Sequence, residues 1–405
     1  MKTTKRVPLA PGEPMPALEE FLCPFHVHFA RSEATHALER YLTGMFTEHP
    51  NKNCDTIAQV VPGTSEQSLQ GLLTNMLWDE EDLNRQRVET LLALPTEGDA
   101  ALVFDDTGFA KQGNSSVGVA RQYSGTLGKV GNCQVSVNCH YAERTIAWPV
   151  ATRLYLPKEW TADPRRMAKA KVPAGIHFQT KPQIALDLLD KADGLGVPYA
   201  CVVADADYGD NPNFLAGLEK RNKRYVAAVR KDFPVALTVG GPAQRAGVVL
   251  AALPARRWQT IRWRQGSKGW LKARFGALRC WRQPKEGVRL PGWLIGERPA
   301  RGQQPDKWKY HWSNFGAGAS LEGMVEYAHR RGGVEQFHEQ SKTLLGWDQY
   351  QGRLWTGFHR NAVLVMLAYS FLVCQEWQHR QEVTLRGRPR GAFSPSPGPQ
   401  TPVPA

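Results

Sequence analysis

Acidic residues, paired cysteines and long apolar runs are all scarce in this chain. Its 405 residues carry 38 Asp and Glu against 51 Lys and Arg, a formal net charge of +13. That balance is unusual for a metabolic enzyme and points to a polyanionic partner, most simply nucleic acid. The seven cysteines (Cys23, Cys54, Cys133, Cys139, Cys201, Cys280, Cys374) are scattered and form no CxxC pair. Such spacing excludes a zinc ribbon and a disulfide framework, and it fits reduced thiols in the cytosol. The opening MKTTKRVPLAPGEP is basic but lacks the apolar core of a signal peptide. The most apolar stretch, 362–374, is too short to span a bilayer and reads as a buried helix. The expectation is a soluble, cytoplasmic protein of two or three domains.

What is present is organised in blocks. Residues 21–94 read as helical, with Ala37, Leu38, Tyr41, Leu42 and Met45 forming one apolar stripe. A short helix at 55–60, a Pro62-Gly63-Thr64 break and a second helix near Ser65 give the outline of a helix-turn-helix, with Thr64 or Ser65 as cap. Most helix pairs joined by a turn do not touch DNA. Residues 92–98 mark a boundary to strand-like sequence: ALVFDD, SVGVARQY, then QVSVNCHYA running on to AWPVATRLYL. A helix at 181–195 leads to the apolar VPYACVVADADYGDN at 197–211, then a helix at 213–221 and a strand at 224–230. Strand meander, helix and strand together make a mixed α/β order.

Two of these strands run into acids. The apolar run 101–104 meets Asp105 and Asp106 before a Thr107-Gly108 turn signal, which reads as a buried strand delivering an acid at its own end. VVADAD does the same at Asp205, and the two acid-bearing ends come together if the strands are neighbours. Between 256 and 309, fifteen Lys and Arg face only Glu286, Glu297 and Asp306, interleaved with Trp258, Trp263, Trp270, Trp281, Trp293 and Trp308. Alternation there suggests antiparallel strands with one apolar and one basic face. Such a face can neutralise phosphates and stack bases, or pack a small β core beneath a solvated surface.

The helical segment 318–375 contains GVEQFHEQSKTLLGW, which sets Glu335, His338, Glu339 and Lys342 on one side. Alone it would be a surface helix with charge pairs. With Asp105 and Asp205 it completes three acids that could converge. Three carboxylates suit two divalent ions in phosphodiester chemistry, and magnesium suits all-oxygen ligands.

On VFDDTGFAKQG, VGVARQYSGTLGKVGNCQVSV, VVADADYGD and RGGVEQFHEQSK, the chain resembles the DDE transposases of bacterial insertion sequences across 21–375. The resemblance implies an RNase H-like α/β fold: a mixed sheet flanked by helices, with an N-terminal helical domain and a β-rich insertion. The expected divisions are a flexible N-terminus (1–20), a helical, helix-turn-helix type DNA-binding domain (21–96) and a catalytic core (97–230 and 311–380). A basic Trp-rich insertion (231–310) and a disordered tail (381–405) complete them. The family's Asp-x-Thr selects Asp105 with Thr107, keeping Asp106 in reserve, and the second strand selects Asp205 over Asp207. Related enzymes carry Tyr-x2-Arg-x3-Glu-x6-Lys. Arg331, Glu335 and Lys342 match it, whereas the tyrosine's place is Ala328 and Tyr327 lies one position early. Glu339 is the alternative third acid.

By this resemblance Asp105, Asp205 and Glu335 would bind two Mg2+ ions, with Mn2+ as a substitute. Arg331 and Lys342 would contact phosphates, and Trp258, Trp263, Trp270, Trp281, Arg262 and Arg264 would contact DNA. The implied activity is cutting at element ends and joining them to target DNA. The partners would be terminal inverted repeats and target DNA, in a dimeric synaptic complex with no membrane, in the bacterial cytoplasm and on the nucleoid when DNA is bound. Two rivals share the composition: a non-catalytic DNA-binding protein derived from such an enzyme, and a metal-dependent nuclease without strand transfer.

Overall fold

The computed structural model describes residues 7–13, 15–125, 128–266, 269–284, 287–300 and 307–386. Five helices come first: α1 (Pro16–Leu22), α2 (Ser32–Met45), α3 (Cys54–Val60), α4 (Glu66–Thr74) and α5 (Glu80–Leu92). The first begins inside the stretch expected to be flexible. Ser65 caps α4 by accepting from the Ser68 N–H, and Gly63, at φ 75°, makes the turn from α3.

A strand meander follows, β1 (Ala101–Ala110), β2 (Ala120–Ser124), β3 (Lys129–Ala142) and β4 (Ala147–Leu154), then α6 (Lys158–Thr161), α7 (Pro164–Lys169) and α8 (Lys181–Gly194). Next come β5 (Cys201–Ala204), α9 (Ala206–Gly209), α10 (Pro212–Lys220), β6 (Tyr225–Val229), β7 (Pro234–Ala236), β8 (Gln244–Arg245) and α11 (Ala246–Ala251). Long strands β9 (Trp258–Gly266), β10 (Gly269–Arg282) and β11 (Leu290–Pro299) precede β12 (Lys309–Ser313). The chain closes with α12 (Leu321–Ala328), α13 (Gly332–Thr343) and α14 (Trp355–Arg386).

Among the described residues the strands form one twelve-stranded sheet, in the order β2-β3-β1-β5-β6-β12-β11-β10-β7-β8, with β4 on β3 and β9 on β10. Pairing is parallel at β1–β5 and β5–β6 and antiparallel elsewhere, an RNase H-like mixed sheet flanked by helices. The basic, Trp-rich strands continue this sheet through β12.

The period of two along β1 sets the site. Leu102 and Phe104 enter a core shared with α8 and α14, whereas Ala101 and Val103 enter a second core with Met324, Val325 and Val334 of α12 and α13. Continued one step, the alternation aims Asp105 at α13 and Asp106 at α8.

One expectation needs correcting. β1 does not stop at its acids but runs on to Ala110, paired with β3 as far as Cys133. It is β5 that stops, at Ala204, so the acids stand where β1 loses one neighbour. Thr107 and Gly108 are strand residues, paired with Ser136 and Val135 of β3, and Gly108 also packs on β2: a Cβ there would lie 2.0 Å from Ser124 Oγ.

The last helix is longer than the apolar stretch expected to form it, and over Trp355–Val383 it is long and apolar enough to cross a membrane. Yet 89% of its most apolar stretch is buried inside the protein, which makes it a core helix here. Most of the expected disordered tail, 387–405, lies outside the described residues, as do 1–6 of the N-terminus.

Candidate functional site

Phe104 pairs with Ala204 across β1 and β5, and the residue that follows each of them is an aspartate, Asp105 beside Asp205. Asp205 also caps α9: its Oδ1 accepts from the N–H groups of Asp207 at 3.0 Å and Tyr208 at 3.3 Å. Asp105 Oδ1 accepts from the Asp106 N–H at 2.9 Å. Each carboxylate thus has one oxygen committed to backbone and one left over. Both leftover oxygens face Arg331, whose Nη2 lies 3.1 Å from Asp105 Oδ2 and 4.0 Å from Asp205 Oδ2.

Arg331 ends the 3-10 turn His329–Arg331 from which α13 springs. A glycine lets that helix settle on the sheet, since a Cβ on Gly333 would fall 2.5 Å from the Ala147 Cβ. Val334 and Phe337 then bury the inner face of α13.

The electrostatics follow from this placement. Burial raises the Asp105 carboxyl above its ordinary value, against the opposing pull of Arg331. Burial, together with the charge of Asp105, pushes Asp205 up to about 6. Against its own burial, Arg331 is held above its ordinary value by Asp105 and Asp205. One guanidinium therefore leaves a negative excess, and two convergent carboxylate oxygens with that excess fit a hard divalent cation in donor type and in charge. Among the described residues no three His, Cys, Asp or Glu side chains are gathered closely enough to hold a metal. Glu335 stands one turn beyond Arg331, exposed, on the wall of a cleft of about 1400 Å³ also lined by Arg230, Trp263, Arg264, His329 and Arg331. Two of the three expected acids are adjacent, and the third stands on the wall of the neighbouring cleft without joining them.

The other candidates are scattered around this centre. Asp106 faces the opposite side of β1 and pairs with Lys181 at the start of α8. Glu339 is exposed one turn beyond Glu335. Lys342 Nζ donates to Thr107 Oγ1 at 2.6 Å and to Gly108 O at 2.9 Å, tying α13 to β1, and burial lowers it to about 8. Tyr327 lies under the Arg330 guanidinium, and Ala328 packs into the second core.

The four tryptophans divide. Trp258 is buried, 5.3 Å from the Trp308 ring with Arg298 over it, and Trp281 is partly buried against the main core. Trp263 stacks on His329 at 3.9 Å in the cleft wall, whereas Trp270 is 53% exposed. Arg262 and Arg264 are exposed, and Arg264 reaches over Gly332, where a Cβ would come within 3.2 Å of its Nη1.

Two contributors were missed by sequence reasoning. Asn138 lies opposite Asp105 in β3, accepts from Thr152 Oγ1 at 2.6 Å and meets His338 Nε2 at 3.3 Å. Its signal was a polar amide inside the apolar QVSVNCHYA. Burial lowers His338 well below the usual imidazole value, so the ring beside Asn138 is neutral. Lys181, the partner of Asp106, had no signal beyond its place at a helix start.

Residues 24–270 match the family described as DDE superfamily endonuclease, and residues 181–371 match the family described as Transposase DDE domain. The chain is 26% identical over 330 residues to the probable transposase for insertion sequence element IS701 of Microchaete diplosiphon, covering 77% of this chain and 76% of that protein. Among solved structures, the NurA nuclease from Sulfolobus solfataricus aligns with 63% of this chain and 81% of its own, at 9% identity and a TM-score of 0.26, too low to bear on the fold.

Proposed function

The chain belongs to the DDE superfamily endonucleases, and from that membership we propose that it is a transposase that cuts DNA at insertion-sequence ends and joins those ends to target DNA. The observation that carries the reading is the convergence of Asp105 Oδ2 and Asp205 Oδ2 on one point beside a cleft lined by Arg230, Arg264 and Arg331. The Transposase DDE domain match and the IS701 relative support the same class.

In this reading Asp105 and Asp205 would hold the metal, Mg2+ or Mn2+ in its place, and Glu335 would complete a two-ion site by moving in from the cleft wall. Metal held there supplies Lewis-acid stabilisation of the phosphate charge and lowers the pKa of the attacking oxygen. The remaining work falls to the chain itself. Arg264 and Arg331 hold backbone phosphates in the cleft, Trp263 and Trp270 offer stacking faces, and Lys342 holds α13 in register on β1.

In the first step a water oxygen bonds to phosphorus and the 3′ oxygen leaves as a hydroxyl. In the second, that hydroxyl attacks a target phosphodiester and one ester replaces another, so neither step needs a protein nucleophile. The helical domain 21–96 would recognise terminal repeats, 97–230 with 311–380 would form the catalytic core, and 231–310 would grip DNA beside it. Bringing two ends together calls for a dimer on DNA.

The test supplies Mg2+, DNA carrying the flanking inverted repeats, and a target plasmid. Cut ends and joined products are expected from the wild type and neither from Asp205→Asn or Glu335→Gln. Cutting without joining would make the protein a nuclease, and binding without cutting would make it a non-catalytic derivative.

A further inference from the structure

Arg331 stands on the ground that a cation at Asp105 and Asp205 would need. Both Oδ1 atoms are held by backbone N–H groups, and both Oδ2 atoms face the same guanidinium nitrogen at 3.1 and 4.0 Å. Direct coordination of a small divalent ion brings oxygens to about 2.0–2.1 Å. A cation charge lodged there would meet the positive guanidinium head on.

The guanidinium is also incompletely satisfied where it lies. Among the described residues its Nε is buried without a hydrogen-bond partner, so donor capacity goes unused. The cleft of about 1400 Å³ opens beside it, with Arg264 and Glu335 on its wall. A planar fork of donors is matched to phosphate oxygens as well as to carboxylates.

We propose that Arg331 is a built-in competitor of the metal: its guanidinium and a divalent ion exclude one another at Asp105 and Asp205, and the displaced guanidinium turns into the cleft to take a DNA phosphate. This rests on the metal-ligand role proposed above. Metal and DNA then bind with positive coupling, because phosphate draws off the group that blocks the ion, and the coupling is reciprocal. Arg331 acts as a positioning residue, keeping the site metal-poor until DNA arrives.

The test is Mn2+ binding to the full chain without DNA, with free Mn2+ read by electron paramagnetic resonance. Arg331→Gln should bind Mn2+ roughly tenfold more tightly than the wild type. Arg264→Ala removes a neighbouring cation that, among the described residues, forms no ion pair with either carboxylate, and it should change Mn2+ affinity in the absence of DNA little. Adding a duplex bearing the inverted repeat should tighten Mn2+ binding in the wild type but not in Arg331→Gln. Equal or weaker Mn2+ binding by Arg331→Gln, or an equal gain in Arg264→Ala, overturns the proposal. If Arg331→Gln fails to fold, Arg331→Lys, which loses the fork, must show a smaller gain in the same direction or the proposal is wrong. Asp205→Asn separates the two readings: Mn2+ binding that survives it sinks the metal-ligand role itself, whereas its loss without any Arg331 effect sinks only this inference.

Discussion

Asp105 and Asp205 follow a paired Phe104 and Ala204 on parallel strands, and the charge of the first adds to burial in lifting the second to about 6. Two acids so placed act as one charged unit, whereas Asp106 looks the other way, at Lys181. Asp105→Asn should therefore lower end cleavage by about 100-fold or more, the loss of a few kcal/mol of charge stabilisation in the transition state. Asp106→Asn should cost no more than about fivefold, as expected for one partly exposed ion pair. Initial cleavage rates on a labelled end duplex decide it, and equal losses would contradict the assigned faces.

The raised carboxyl of Asp205 makes stability depend on pH. Its ordinary value is 3.8 and its folded value about 6, so between them the folded state binds more protons than the unfolded. Stability falls as pH rises through that window, and above it the ionised group is a standing cost. Asp205→Asn keeps the Oδ1 acceptor that caps α9 while removing the charge. Without metal, the variant should melt above the wild type at about pH 8, with the gap closing towards about pH 4. Calorimetry at the two pH values checks this, and a variant that melts lower at pH 8 would contradict it.

A pair with a buried guanidinium and a partly buried carboxylate joins α10 to the long strand β10. Arg282, 2% exposed along its side chain, donates to both oxygens of Glu219 at 2.6 and 2.7 Å, and the Tyr225 hydroxyl donates to the same carboxylate. Glu219→Ala leaves the guanidinium buried and unpaired, and should destabilise the fold by about 3–5 kcal/mol. Urea unfolding followed by circular dichroism measures it.

Trp258 and Trp270 should respond in opposite ways. Trp258→Ala empties a packed site and should destabilise the fold by about 3–5 kcal/mol. Trp270→Ala should leave the melting temperature unchanged and weaken single-stranded DNA binding by about 1–3 kcal/mol, if its exposed ring stacks on bases. Fluorescence anisotropy and melting curves on both variants separate the roles.

Local pattern carried a good deal of this structure. The apolar runs of β1 and β5, the helix at 181–195 and the Ser65 cap are short-range matters of side-chain period and turn chemistry, and each lies close to where the sequence placed it. Three things escaped it. β1 runs through its acids because β3 continues to pair with it, and an Asp-Asp-Thr-Gly string has no means of announcing a partner strand. α9 follows Asp205 directly because that carboxylate caps it. Trp258 and Trp270 have similar neighbours in sequence, yet one is packed under Arg298 and the other is open to solvent.

What the sequence by itself determined is the local supply: an acid after each of two apolar strands, a helix carrying Arg331 and Glu335, and an excess of positive charge. Only the tertiary structure decided that Arg331, 226 residues beyond Asp105, bridges towards both aspartates while Glu335 stays apart on the cleft wall. The physical reason is that periodicity sets which face of its own element a side chain occupies. Which faces meet is settled by strand pairing and by close approaches such as Gly333 on Ala147, contacts between residues far apart in the chain.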